Sequence, residues 1–410
     1  MTRIADDIPE VLSNRASTDG NSYVAEVDAL RALAMLMVVA IHTGIMPFGW
    51  MGVWIFYVVS GFAVTTSILQ ISADRHSRNS ILKEFWLRRF SRIVPVYFVF
   101  ILLNVVFIVI LASPEYLKQL PLLLTFLHNF QMAFWNWDAG PPIWVGFSHL
   151  WTLSTEQQFY LVFSLLFVLL SPGRFTVALW IMVAVAPAIR YGMGVAAQAH
   201  GFDDLGTAFL IYALAPGHLD AFAAGALIAV HRTTVAGRPS IATGALAALL
   251  AVGMIHCTVY AIIGVQRTGS FSPDALRNIV SGILYGQGRE ISVYWIPILA
   301  GITVISGVLS RRPVWLFFCR LPGIQSIGRV SYAGYLVHVP VISVVIAALP
   351  IQFDTIPERC LLFISVTTIT VLVANLSWRF VERPAIDWLR SVGGSRKTTA
   401  TGLLTDAKGS

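Results

Sequence analysis

Ten times along its 410 residues this chain passes through a run of about twenty apolar residues almost free of charge, and that repetition leaves few folds open. The runs lie near 28–46, 52–71, 94–112, 150–171, 175–192, 208–230, 240–264, 292–310, 330–349 and 358–378. A helix rises about 1.5 Å per residue, so each run can cross the roughly 30 Å of a bilayer's hydrocarbon. Backbone amides find no water in lipid, and a helix satisfies them internally. The expected fold is therefore all-α: a polytopic integral membrane protein with ten transmembrane helices. Composition agrees. Only 12% of residues are charged and 56% are hydrophobic, whereas a soluble domain carries about 25% charged residues.

The basic residues set the orientation. Loops 72–92, 172–174, 231–239 and 311–329, with both tails, hold 21 of the 28 Lys and Arg. The positive-inside rule then puts these loops and both termini in the cytoplasm. The net charge of +7 is thus a topology signal, and no nucleic-acid partner is expected. Segment Pro121–Phe134 is apolar but short, and His128, Asn129 and Gln131 interrupt it, as suits a re-entrant or interfacial piece. Residues 1–26 read as a cytoplasmic tail without a cleavable signal, 27–388 as the membrane domain and 389–410 as a disordered cytoplasmic tail. Cys257, Cys319 and Cys360 lack metal-ligand spacing and read as free thiols, and no metal is expected.

Against this background the ionisable residues stand out, because charge inside hydrocarbon is costly and by default marks function. Arg31 and His42 lie in the first run. Their spacing makes three turns plus roughly 20°, so both share one face, about 16 Å apart along the axis. Arg31 can pair with Asp28 or snorkel to the inner interface. His42 can serve as a general base or as a hydrated residue at a fraying helix end before Gly44 and Pro47. Arg88, Arg89 and Arg92, interleaved with aromatics, offer donor forks matched to phosphate oxygens and equally to anionic lipid. His149 and Glu156 share a face at the outer start of the fourth run, with Trp151 and Tyr160 as interfacial residues. A carboxylate at that depth needs a partner, and one reading pairs it with a histidine. The sixth run holds His218 and Asp220. The second is interrupted by Ser60-Gly61, and the ninth holds His338, where Pro340 frees the carbonyl of Leu336.

In this order the islands resemble the membrane-bound acyltransferase-3 family over roughly residues 26–388. Arg31 and His42 look like its Arg-x10-His signature, and Gly52–Phe62 is similar to its Gly-Val-x-x-Phe-Phe-x-x-Ser-Gly-Phe run. Arg89–Tyr97 fits its Arg-x-x-Arg motif with trailing Pro and Tyr, and Trp151–Tyr160 its Trp-Ser-Leu-Ser-x-Glu-x-Gln-Phe-Tyr segment. Tyr335–Pro340 and Phe380–Pro384 match its late Tyr-Leu-x-His-x-Pro and Glu-Arg-Pro motifs. Thr152 stands where serine is usual and Trp54 where aspartate is common.

The resemblance implies an O-acyltransferase of the bacterial inner membrane. Its donor substrate would be acetyl-CoA or another short acyl-CoA from the cytoplasm, and its acceptor a sugar hydroxyl on a glycan or glycolipid. Catalytic roles would fall to His42, Glu156 and Arg31, with Glu156 orienting the His42 imidazole. CoA would contact Arg89 and Arg92, with Arg88 and Tyr97 beside them. His149, Trp151, Asp220 and His338 would serve the acceptor. Many relatives carry a fused extracytoplasmic hydrolase-like domain, and none is expected after the tenth run. Acceptor delivery would then rest on the membrane domain, a second copy of the chain or polysaccharide-assembly proteins. The same residues leave open a transporter or flippase of a lipid-linked glycan, although no internal repeat supports one. They also leave open an acyltransferase of a small natural product such as a macrolide.

Overall fold

The computed structural model describes residues 25–75, 77–134, 142–276 and 279–392. The expected cytoplasmic tails fall almost wholly outside the described residues. Each apolar run falls on helix: α1 (Ala25–His42), α2 (Met51–Asp74), α3 (Arg78–Ile110), α4 (Trp151–Leu169), α5 (Pro172–Ala199), α6 (Asp204–Ala213) followed by α7 (Leu219–Val230), α8 (Ser240–Thr268), α9 (Trp295–Leu309), α10 (Ser331–Ala348) and α11 (Ile356–Ser377). No strand occurs among the described residues.

Among the described residues seven helices are long and apolar enough to cross a membrane, and an eighth counts if α6 and the segment Ala215–Val230, bent by 70°, form one span. The chain is a multi-pass membrane protein. The sequence reading counted ten spans; α1 and α4 make the difference. The reason lies in their own residues. α1 carries Glu26, Asp28 and Arg31 in 18 residues, and the first two turns of α4 carry Thr152, Ser154, Thr155, Glu156, Gln157 and Gln158. At 33 residues α3 is about 50 Å long, more than a bilayer's hydrocarbon needs.

α2 is the central helix, with 72% of its most apolar window buried, against 11% for the peripheral α8. Small residues bring α2 and α7 together, as is common where helices pack in lipid. A Cβ on Gly61 would meet the carbonyl oxygen of Phe222, and one on Gly225 that of Val58. Gly225→Leu should therefore cost about 3 kcal/mol or more through overpacking. Size-exclusion chromatography in detergent should show its monodisperse peak lost. Gly253→Leu on α8, where a Cβ meets nothing within 4 Å, should keep that peak.

Segment 121–134 forms two short helices, Leu120–Leu124 and His128–Phe134, neither long enough to cross. It docks on α4 through a reciprocal amide pair. Asn129 donates to Gln158 at 3.1 Å, and Gln158 donates back at 2.8 Å and to the Phe126 carbonyl at 3.0 Å.

Candidate active site

The helices enclose two cavities that have two lining residues in common. The first, about 90 Å³, is lined by Arg31 of α1, Ser60 of α2, Arg89 and Arg92 of α3, Glu156 and Tyr160 of α4 and Tyr332 of α10, among others. The second, about 310 Å³, is lined by His42 of α1, Trp50, His149, Trp151, Tyr212 and the loop 281–283, among others. Val53 and Tyr335 line both. Arg31 and His42 sit on one face of α1, about 16 Å apart, so the cavities are stacked along that helix.

The first cavity is rich in positive charge. Among its lining residues are three arginines and a single carboxylate, Glu156. Arg31 Nη1 holds Asp28 at 2.6 Å. Neither Arg89 nor Arg92 has an ion-pair partner within 4 Å among the described residues. The Arg89 guanidinium lies over the rings of Tyr160, at 5.7 Å, and Phe85, at 5.9 Å. The Glu156 carboxylate accepts hydrogen bonds from the hydroxyls of Ser60 and Tyr160, which lie 2.5 Å from one another. The arrangement suits an anion carrying more charge than one acid can balance.

At the second cavity backbone carbonyls fix the tautomers of two paired histidines. His42 Nδ1 lies 2.9 Å from the Val38 carbonyl and 3.2 Å from His338 Nε2. A carbonyl only accepts, so in the neutral ring Nδ1 carries the proton. His338 Nδ1 lies 2.6 Å from the Tyr335 carbonyl and is protonated for the same reason, leaving its Nε2 to accept from His42. The His42 Nε2 lone pair is then the available base, and it makes no hydrogen bond among the described residues. His149 Nε2 donates at 3.0 Å to the Leu336 carbonyl, the one that Pro340 releases inside α10. A carbonyl left free by a proline legible in the sequence is thereby satisfied by a residue of the turn before α4.

The structure does not join His42 to Glu156. They line different cavities, and the partners of Glu156 are Ser60 and Tyr160 while those of His42 are Val38 and His338. Arg88 is exposed and pairs with Glu84 at 2.8 Å; one residue from Arg89 is about 100° around the helix, which turns it away. Tyr97 is fully buried, donates to the Leu123 carbonyl at 3.0 Å and anchors segment 120–134 instead of lining a cavity. Asp220 also lies off both cavities. It is closed in a fully buried pair with Arg190 at 2.8 Å, whose other donors reach the carbonyls of Gly217, Glu290 and Ile291. A buried charge needs such neutralisation. His149 and Trp151 line the second cavity, and His338 supports His42 from behind.

Ser60, Tyr160 and Tyr335 carry more of the site than the sequence reading gave them. Tyr160 stands four residues after Glu156, so the i,i+4 rule could have found it. Ser60 and Tyr335 reach the site only through helix packing.

The family model described as "Acyltransferase domain" matches residues 24–375. Over 391 residues the chain is 29% identical to the peptidoglycan O-acetyltransferase OatA of Listeria monocytogenes, covering 90% of this chain and 57% of that protein. It is 24% identical over 381 residues to the O-acetyltransferase OatA of Staphylococcus aureus, covering 88% and 57%. With the putative peptidoglycan O-acetyltransferase YrhL of Bacillus subtilis it shares 25% identity over 402 residues, covering 90% and 55%. The chain thus spans somewhat more than half the length of these relatives. No solved structure matches it. With the family model running from the start of α1 almost to the end of α11, over the same helices that build both cavities, the chain belongs to the membrane-bound acyltransferase-3 family.

Proposed function

We propose that this protein is an O-acetyltransferase of the bacterial inner membrane, moving acetyl from cytoplasmic acetyl-CoA to a hydroxyl of a peptidoglycan-type sugar. The observation that carries the reading is that an arginine-lined cavity and a histidine-lined one have Val53 and Tyr335 as common lining. Residues 27–388 form the acyltransferase unit, crossing the membrane ten times with both termini cytoplasmic. The bias of Lys and Arg toward one set of loops supports that orientation. Arg89, Arg92 and Arg31 hold the CoA phosphates. The thioester reaches the junction from the cytoplasmic side, and the sugar enters the second cavity from the other. There Trp50, Trp151 and Tyr212 offer apolar faces to a pyranose, and Ser148 and His149 offer polar ones. His42 Nε2 takes the proton of the acceptor hydroxyl as its oxygen attacks the thioester carbonyl. The C–S bond breaks, and the thiolate leaves and takes up a proton as CoA. Glu156 acts on the donor side, ordering Ser60 and Tyr160 and balancing the arginines.

The names of the relatives support peptidoglycan over a macrolide as acceptor. Purified protein given radiolabelled acetyl-CoA and chitopentaose, a β-1,4-linked N-acetylglucosamine oligomer, should place alkali-labile label on the sugar. An offered macrolide should stay unlabelled. Movement of a lipid-linked glycan with no label transferred would overturn this reading in favour of a transporter.

A further inference from the structure

If donor and base approach from different cavities, the reacting carbonyl must sit where the cavities join. Val53 and Tyr335 are the two residues that line both. We infer that the Val53 side chain and the Tyr335 ring form an acyl-length gate, bounding the space for the transferred chain and restricting transfer to short acyl groups. The inference rests on the donor and acceptor sides proposed above.

The gate is rigid on both sides. The Tyr335 hydroxyl donates to the His149 carbonyl at 3.1 Å and accepts from Thr152 Oγ1 at 2.8 Å. Its ring is wedged against His149 and Phe56, with centroids 5.3 and 6.0 Å away. Swinging it aside would leave buried polar atoms unpaired, at a cost of about 1–3 kcal/mol each. The other shared lining residue, Val53, is β-branched and stiff at χ1, and only 6% exposed. The backbone that carries it cannot retreat toward α1, because a Cβ on the preceding Gly52 would already meet the Ala34 carbonyl oxygen. Thr152, which stands where the family's usual residue is serine, thus gains a role: its hydroxyl holds the gate tyrosine. A longer acyl chain finds no slack. In a closely fitted apolar site one methylene changes discrimination by about 10–200-fold.

The test compares kcat/KM for acetyl-CoA, propionyl-CoA and butyryl-CoA, read as CoA thiol release by the purified full chain with chitopentaose as acceptor. Val53→Ala should raise the butyryl-to-acetyl ratio about tenfold or more. Val53→Ile should lower it and slow acetyl transfer itself. Tyr335→Phe keeps the ring but releases it from His149 and Thr152, and should raise the ratio by less than Val53→Ala does. Should Val53→Ala fail to fold, the ratio in Val53→Ile decides. A wild-type ratio in either folded Val53 variant overturns the gate. Wild-type protein that releases no CoA from acetyl-CoA refutes instead the proposed function, so the two failures are distinct.

Discussion

Replacing His42 with alanine should lower acetyl transfer by about 10²–10⁴-fold, the usual loss when a general base is removed. The geometry singles out this ring among the three histidines. His149 spends its Nε2 proton on Leu336, and His338 spends its Nδ1 proton on Tyr335 and its lone pair on His42. His149 leaves its Nδ1 without a partner among the described residues, but that atom is buried, whereas His42 is exposed and its unengaged Nε2 belongs to a ring lining the second cavity. The loss should fall on kcat, with KM for acetyl-CoA nearly unchanged, because the proposed donor site lies in the other cavity. Steady-state kinetics on a variant with a wild-type elution profile checks this. An equal loss in KM would place His42 in donor binding instead.

Arg89→Ala should reduce kcat/KM for acetyl-CoA by about 10–100-fold, the worth of one charge-assisted hydrogen bond of roughly 1.5–3 kcal/mol. Arg92→Ala should behave alike, and the double variant should lose about 10³-fold if the two contacts add. The decisive contrast is the donor. Acetyl-N-acetylcysteamine carries the thioester without the phosphates, so its kcat/KM should be the same in wild type and both variants. Arg88→Ala should change neither donor's rate, since an exposed pair with Glu84 is worth about 0–1 kcal/mol. If the arginine variants lose activity equally with both donors, the arginines shape the cavity and do not read phosphate.

The legible parts of this protein are the local ones. A twenty-residue apolar run needs no tertiary information to be recognised as a helix. The Arg31–His42 spacing gives their shared face directly, and the missing amide of Pro340 gives the free Leu336 carbonyl. The pairing of His42 with Glu156 was not legible. Each sits on its own helix, and whether two polar islands face one another depends on helix rotation and depth, which sequence spacing does not encode. Asp220 shows the same limit: its partner Arg190 lies thirty residues earlier, across the α6–α7 bend. Two of the ten expected spans lack the usual span signature, for an instructive reason. α1 and α4, which supply His42, Arg31, Glu156 and Tyr160, are short of apolar length because they carry the site. Polar residues that line an internal cavity remove the signal by which a membrane helix is recognised.

The central claim is that an acyl group passes from one side of the membrane to the other through two cavities joined at Val53 and Tyr335. Proteoliposomes test it directly, with chitopentaose sealed inside and radiolabelled acetyl-CoA added only outside. The account predicts ester-linked label on the enclosed sugar, lost in His42→Ala and in Arg89→Ala. Label appearing only on sugar that shares the donor's side, with none in the lumen of sealed vesicles, would contradict it.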